Sequence, residues 1–141
     1  MTYFVDVTVR GYELDTQGHL NQAVYLQYAE HARWELLREA GLAQEKLLAH
    51  GIGPVQLEVT VKYLRELRGG ERLRVSCELL LGVGKTFEIR QQILKEDGTV
   101  AAEIQGVGGI LDLTARRLVA DPAGRFASLA EKPELLGVRT G

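Results

Sequence analysis

The chain has 141 residues, of which 45% are hydrophobic and 26% charged, with a formal net charge of −2. That is enough chain for one domain, which at this size buries roughly 70% of its unfolded surface and needs no staples. The charge gives no bulk attraction to nucleic acid or to an anionic membrane.

Residues 3–10 alternate, with Tyr3, Val5, Val7 and Val9 on one face and Asp6, Thr8 and Arg10 among those on the other, the pattern of a strand. The same stretch has no basic segment running into an apolar one, so no signal peptide is expected. No apolar run in the chain approaches the ~20 residues that cross a bilayer. After a loop over 11–20, QAVYLQYAEHARWELLREA (22–40) reads as one long helix. Its apolar stripe is Ala23, Leu26, Ala29, Ala32 or Arg33, Leu36, Leu37 and Ala40. Gly41 stops it, and AQEKLLAH forms a second short helix closed by Gly51.

From Pro54 the period changes to two. Val55, Leu57, Val59, Val61 and Tyr63 alternate with Gln56, Glu58, Thr60 and Lys62. RGGE turns the chain into a strand whose apolar face is Leu73, Val75, Cys77, Leu79 and Leu81. GVGK turns it again, and Phe87, Ile89 and Ile93 mark the next strand. Asp97-Gly98 is a hairpin signal. In the last strand, 99–112, Gly106, Gly108 and Gly109 point to a bulge or a close approach by another group. Beyond Arg117 the chain reads as irregular, with one helical turn near 123–130 and a mobile tail over 131–141. One antiparallel sheet with one dominant helix on its face is the simple packing solution. It leaves a second sheet face and the edge strands uncovered, so self-association is expected.

LLLGVGKT invites comparison with a phosphate-binding loop. The glycine that motif needs falls on Leu79, and a strand follows where a helix should. His19, His31 and His50 have no metal-ligand spacing, and Cys77 is the single cysteine, so neither a metal site nor an internal disulfide is expected. The lone cysteine suits a reducing, cytoplasmic setting, and its alternating context makes it a small core side chain. ELDTQGHLNQAVY (13–25) is different. Asn21 is a good N-cap for the long helix, whose first-turn N–H groups, Gln22 to Val24, lack intrahelical partners and suit a developing oxyanion. Asp15 stands on the loop before them, where a carboxylate can serve as general base or nucleophile. Turns and caps favour the same residue types, so composition leaves both capping and catalysis open.

GYELDTQGHLNQAVYLQYAEHARWELL resembles the N-terminal signature of the 4-hydroxybenzoyl-CoA thioesterase family of hot-dog folds. VKYLRELRGGERLRV, GKTFEIRQQI, EDGTVAAE and LDLTARRLVADP extend the resemblance over roughly residues 3–125. It implies an α+β hot-dog fold over residues 1–130, an antiparallel five-stranded sheet wrapped around a long central helix. It also implies an acyl-CoA or acyl-carrier-protein thioesterase that works as a homodimer or homotetramer, with active sites between subunits and no cofactor. The catalytic aspartate falls on Asp15, with His19 and Asn21 beside it and the amides of Gln22 and Ala23 as the oxyanion site. Lys85 matches a hairpin lysine that meets the nucleotide end of CoA, with Arg116 or Arg117 in a similar basic stretch. Tyr25, Tyr28 and Trp34 could line a pocket, although packing in the core is their simpler role. Relatives often carry asparagine at Gln22, proline at Glu66 and aspartate at Glu13. Glu30 and Glu35 are the alternative acids on the helix, and a non-catalytic acyl-CoA-binding module is the alternative function.

Overall fold

The stretches of period two pair into one antiparallel sheet. In the computed structural model, which describes residues 2–137, the strands are β1 (Tyr3–Thr8), β2 (Ile52–Tyr63), β3 (Arg72–Leu80), β4 (Thr86–Lys95), β5 (Val100–Asp112) and β6 (Arg117–Leu118). The helices are α1 (Gln22–Glu39), α2 (Gln44–Ala49) and α3 (Pro122–Leu129), with 3₁₀ turns at Gly11–Glu13 and Pro133–Leu136. Strand order is β1-β3-β4-β5-β2, with β6 added to the end of β5. This is an α+β arrangement, and β6 makes the sheet six-stranded where five strands were expected.

The 18-residue α1 packs on β3 and β1. It buries Val24, Tyr25, Tyr28, Ala29, Ala32, Leu36 and Leu37 against strand residues such as Leu73, Val75, Ile89 and Ile93. The expected stripe is displaced at its start: Ala23 and Leu26 face outward, and Tyr25 and Tyr28 face in. Buried tyrosines need a partner for the hydroxyl. Tyr28 finds the Glu13 carboxylate at 2.6 Å, and Tyr25 the Arg65 carbonyl at 3.3 Å.

β2 is an edge strand, which is why Pro54 can stand inside it without a donor. Its register against β5 slips between Gln56 and Glu58, leaving Leu57 on a bulge and 47% exposed. The bulge lies opposite the glycines of β5. A Cβ on Gly106 would collide with the Gln56 side chain, and one on Gly108 would come within 3.0 Å of Ile89 and 3.1 Å of Phe87.

The helical turn expected near 123–130 forms as α3. Asp121 caps α3 through the Gly124 amide at 3.1 Å, with Pro122 in the first turn. Residues 131–137, expected as a mobile tail, dock on the body. The amides of Glu131 and Lys132 both donate to the carbonyl of Ala40, at 2.8 and 3.0 Å, and Leu136 is fully buried. Apolar contact and two satisfied N–H groups outweigh the polar composition there. Residues 138–141 of that expected tail lie outside the described residues.

Candidate active site

The loop between β1 and α1 closes on itself before it reaches the helix. Asp15 N–H donates to the His19 carbonyl at 2.7 Å, and Leu14 bridges Leu20. Asp15 Oδ1 accepts the amides of Gln17 at 2.9 Å and His19 at 3.1 Å. Gly18 takes φ of 79°, the left-handed conformation that lets so short a loop reverse. The loop is then stitched to the segment after β2, with Leu20 N–H donating to the Leu67 carbonyl at 2.7 Å and His19 bridging Arg68.

These bonds leave Asp15 Oδ2 without a partner among the described residues. The amides of His19 and Gln17 hold the Asp15 carboxyl below its usual range. It is therefore ionised at neutral pH, as a base or nucleophile must be.

Asn21 caps α1, its Oδ1 accepting the Ala23 amide at 2.9 Å. Its carbonyl accepts the Val24 amide at the same distance. The oxyanion pair expected at Gln22 and Ala23 is thus narrowed. Ala23 N–H is consumed by the cap, whereas Gln22 N–H has no acceptor among the described residues.

A cavity of about 450 Å³ collects Asp15, His19, Asn21, Gln22 and Tyr25, together with Tyr63, Leu64, Arg65 and Glu66. The last four stand at and just after the end of β2, in the stretch VKYLRELRGGERLRV, and the fold brings them to the Asp15 loop. Tyr63 sets its ring edge-on to Tyr25 with centroids 4.9 Å apart, and its hydroxyl donates to the Gln22 carbonyl at 3.1 Å. His19 Nε2 lies 3.1 Å from Glu66 Oε2. An ionised carboxylate and a free helix-terminal N–H facing one cavity can act together on an acyl carbon.

Lys85, Arg116 and Arg117 are not in this cavity. β5 orders the two ends of the sheet: Tyr63 pairs with Ala102, and Thr86 with Gly109. At ~3.3 Å per residue, those ends are roughly 23 Å apart. Lys85 is exposed on the β3–β4 turn at the far end. Arg117 lines another cavity there, of about 610 Å³, with His50, Asp112 and Arg125. Arg116 takes φ of 59° in the adjoining turn. Glu30 and Glu35 also lie outside the Asp15 cavity. Glu30 instead borders an apolar cavity of about 180 Å³ between α1 and the sheet, with Trp34, Val55, Phe87, Ile89 and Phe126.

An antiparallel sheet with helices on one face, and an acid loop leading into the first turn of the longest helix, is the architecture of hot-dog thioesterases. Residues 9–133 match the Thioesterase-like superfamily, and the chain belongs to it. It is 31% identical to the long-chain acyl-CoA thioesterase FadM of Escherichia coli over 81% of this chain and 86% of FadM. It is 36% identical to the chloroplastic acyl-acyl carrier protein thioesterase ATL3 of Arabidopsis thaliana, over 53% of this chain but only 40% of ATL3. Among solved structures, YbaW of E. coli superposes with a TM-score of 0.76 at 30% identity, covering 84% of this chain and 89% of YbaW. A Lactobacillus plantarum chain shares the fold with a TM-score of 0.85 at 21% identity, covering 92% of this chain and 50% of that one.

Proposed function

We propose that the chain hydrolyses an acyl-CoA thioester to a carboxylic acid and free CoA thiol. The observation that carries this reading is the single cavity shared by Asp15 and the Gln22 terminus of α1. The thioester carbonyl oxygen accepts from Gln22 N–H, which stabilises the charge it gains. In the base route, Asp15 takes a proton from water as the water oxygen bonds to the acyl carbon. The C–S bond then breaks, its electron pair leaves on sulfur, and the proton held by Asp15 passes to the thiolate. In the nucleophile route, Asp15 itself bonds to the acyl carbon and the thiolate leaves; water then opens the mixed anhydride to the acid and the Asp15 carboxylate, and the proton released passes to the thiolate. Either balance closes without a metal or a redox cofactor. His19, oriented by Glu66, and Asn21, through its free amide nitrogen, position substrate and water.

A second copy of the chain completes the site. The free edge of β2 carries exposed Leu57, Val59 and Tyr63, with Leu64 just beyond. Antiparallel pairing of two such edges, with α1 as the central helix of each sheet, sets the Tyr63 end of one subunit beside the Pro54 end of the other. The Asp15 cavity of one then adjoins the apolar cavity and the Lys85, Arg116 and Arg117 cations of its partner. The cations suit CoA phosphates, and the apolar cavity suits the acyl group.

The test is thiol release over a panel of acyl-CoA and acyl-carrier-protein substrates, with Asp15→Asn as control. The expected loss in kcat is about 10²–10⁴-fold with the fold intact. Full activity in Asp15→Asn sinks the assignment. CoA binding without turnover on any substrate would identify a binding module instead.

A further inference from the structure

Glu13 lies outside the Asp15 cavity, yet both ends of the Asp15 loop meet on it. It is 9% exposed. Its Oε1 accepts the Arg10 amide at 2.9 Å and the Tyr28 hydroxyl at 2.6 Å, and its Oε2 accepts Arg10 Nη1 at 3.0 Å. Its carbonyl accepts the Asn21 amide at 2.9 Å. One residue therefore binds Arg10 just after β1, the cap of α1 and the second turn of α1. A buried charge is costly to keep even when fully paired, and an apolar side chain of similar size would fill the space at lower cost. What the carboxylate adds over such a side chain is direction. Hydrogen bonds to a charged acceptor fix geometry more tightly than packing does.

We propose that Glu13, held by Tyr28, is a positioning residue that sets the Asp15 carboxylate against the free Gln22 amide. The inference rests on the thioesterase reading above. Asp15 follows Glu13 by two residues, and Gln22 opens the helix that carries Tyr28. Sliding the loop relative to the helix terminus means breaking the Tyr28–Glu13 bond. The near-attack geometry between carboxylate, acyl carbon and amide is lost with small displacements. Glu13 touches no substrate. It acts through Asp15.

A double-mutant cycle tests this, because a merely structural contact would depress turnover by the same factor whether or not Asp15 is intact. In the wild-type background Tyr28→Phe should lower kcat by about tenfold with KM changed by less than about twofold. In the Asp15→Asn background the same substitution should change the residual kcat by less than about twofold. Equal factors in the two backgrounds, or an unchanged kcat in Tyr28→Phe alone, overturn the proposal. If Tyr28→Phe does not fold, Arg10→Gln replaces it in the cycle. That side chain is half exposed and its loss leaves the Tyr28 bond in place, so a smaller drop with the same dependence on Asp15 is expected, and an equal drop in both backgrounds overturns the proposal. Undiminished turnover in Asp15→Asn would remove the functional reading and this one with it. An additive cycle removes this one alone.

Discussion

Asn21 Oδ1 accepts the Ala23 amide at 2.9 Å, so the residue that starts α1 also occupies one of the two N–H groups expected to face the substrate. Capping and oxyanion binding share the same short supply of donors, and Gln22 N–H is the one left over.

That sharing separates the two duties of Asn21. Asn21→Ala should lose the cap and about 1 kcal/mol of stability, whereas Asn21→Ser keeps a side-chain acceptor and loses only a few tenths. Both remove the side-chain amide nitrogen of a residue that lines the cavity, so both should lose activity, by about tenfold or more. Thermal unfolding and kcat/KM on the same preparations check the dissociation. Full activity in Asn21→Ser would confine the residue to capping.

The Asp15 carboxyl sits below its usual value because two amides favour its ionised form. A lowered value means the active form persists as pH falls. The acid limb of the kcat/KM profile is expected below the ordinary aspartate value of 3.8, with a plateau through neutral pH. A pH–rate series in buffers of constant ionic strength reads it. A limb near pH 6 would point to another group.

Glu13 gives a stability signature with a definite sign. Burial alone pushes its carboxyl up, but the bonds from Tyr28 and Arg10 more than reverse that, and the group sits below its ordinary 4.5. A lowered folded-state value contributes stability above the unfolded value and loses it as pH drops through the folded one. Glu13→Gln should therefore cost about 1–3 kcal/mol at neutral pH and progressively less below about pH 4. Urea unfolding at several pH values measures this. A cost independent of pH would contradict it.

The free edge of β2 predicts the assembly. Leu57 and Val59 are 47% and 41% exposed in the single chain, so lysine is tolerated there by the fold, and lysine is a known deterrent to edge pairing. Leu57→Lys with Val59→Lys should give a folded monomer by sedimentation, with turnover down at least about tenfold although Asp15 and Gln22 are untouched. A monomeric variant of normal activity would place the whole site within one chain.

Much of this could be read from residue order. The period of two marked β1 to β5, and the spacing of Ala29, Ala32, Leu36 and Leu37 marked α1. The loop around Asp15 stood out because its polar groups abut a helix start. Other features depend on distant partners. Tyr25 and Tyr28 turn inward because Arg65 and Glu13 wait for their hydroxyls, which no local spacing announces. Tyr63 and Glu66 join the site through bonds from the Asp15 loop to the segment after β2. Lys85 falls at the far end of the sheet because pairing register, not sequence distance, sets its place. The packing of Leu136 was hidden in a short, mostly polar segment whose apolar residues are too few to show a period.

Cys77 has a practical consequence. It is the only cysteine, 1% exposed, with burial pushing its thiol up to about 12. A chromogenic disulfide added to the folded protein finds no reactive thiolate on it. The colour that develops during turnover then counts released CoA alone, with no protein background to subtract, and a rise in blank absorbance reports unfolding in the same cuvette.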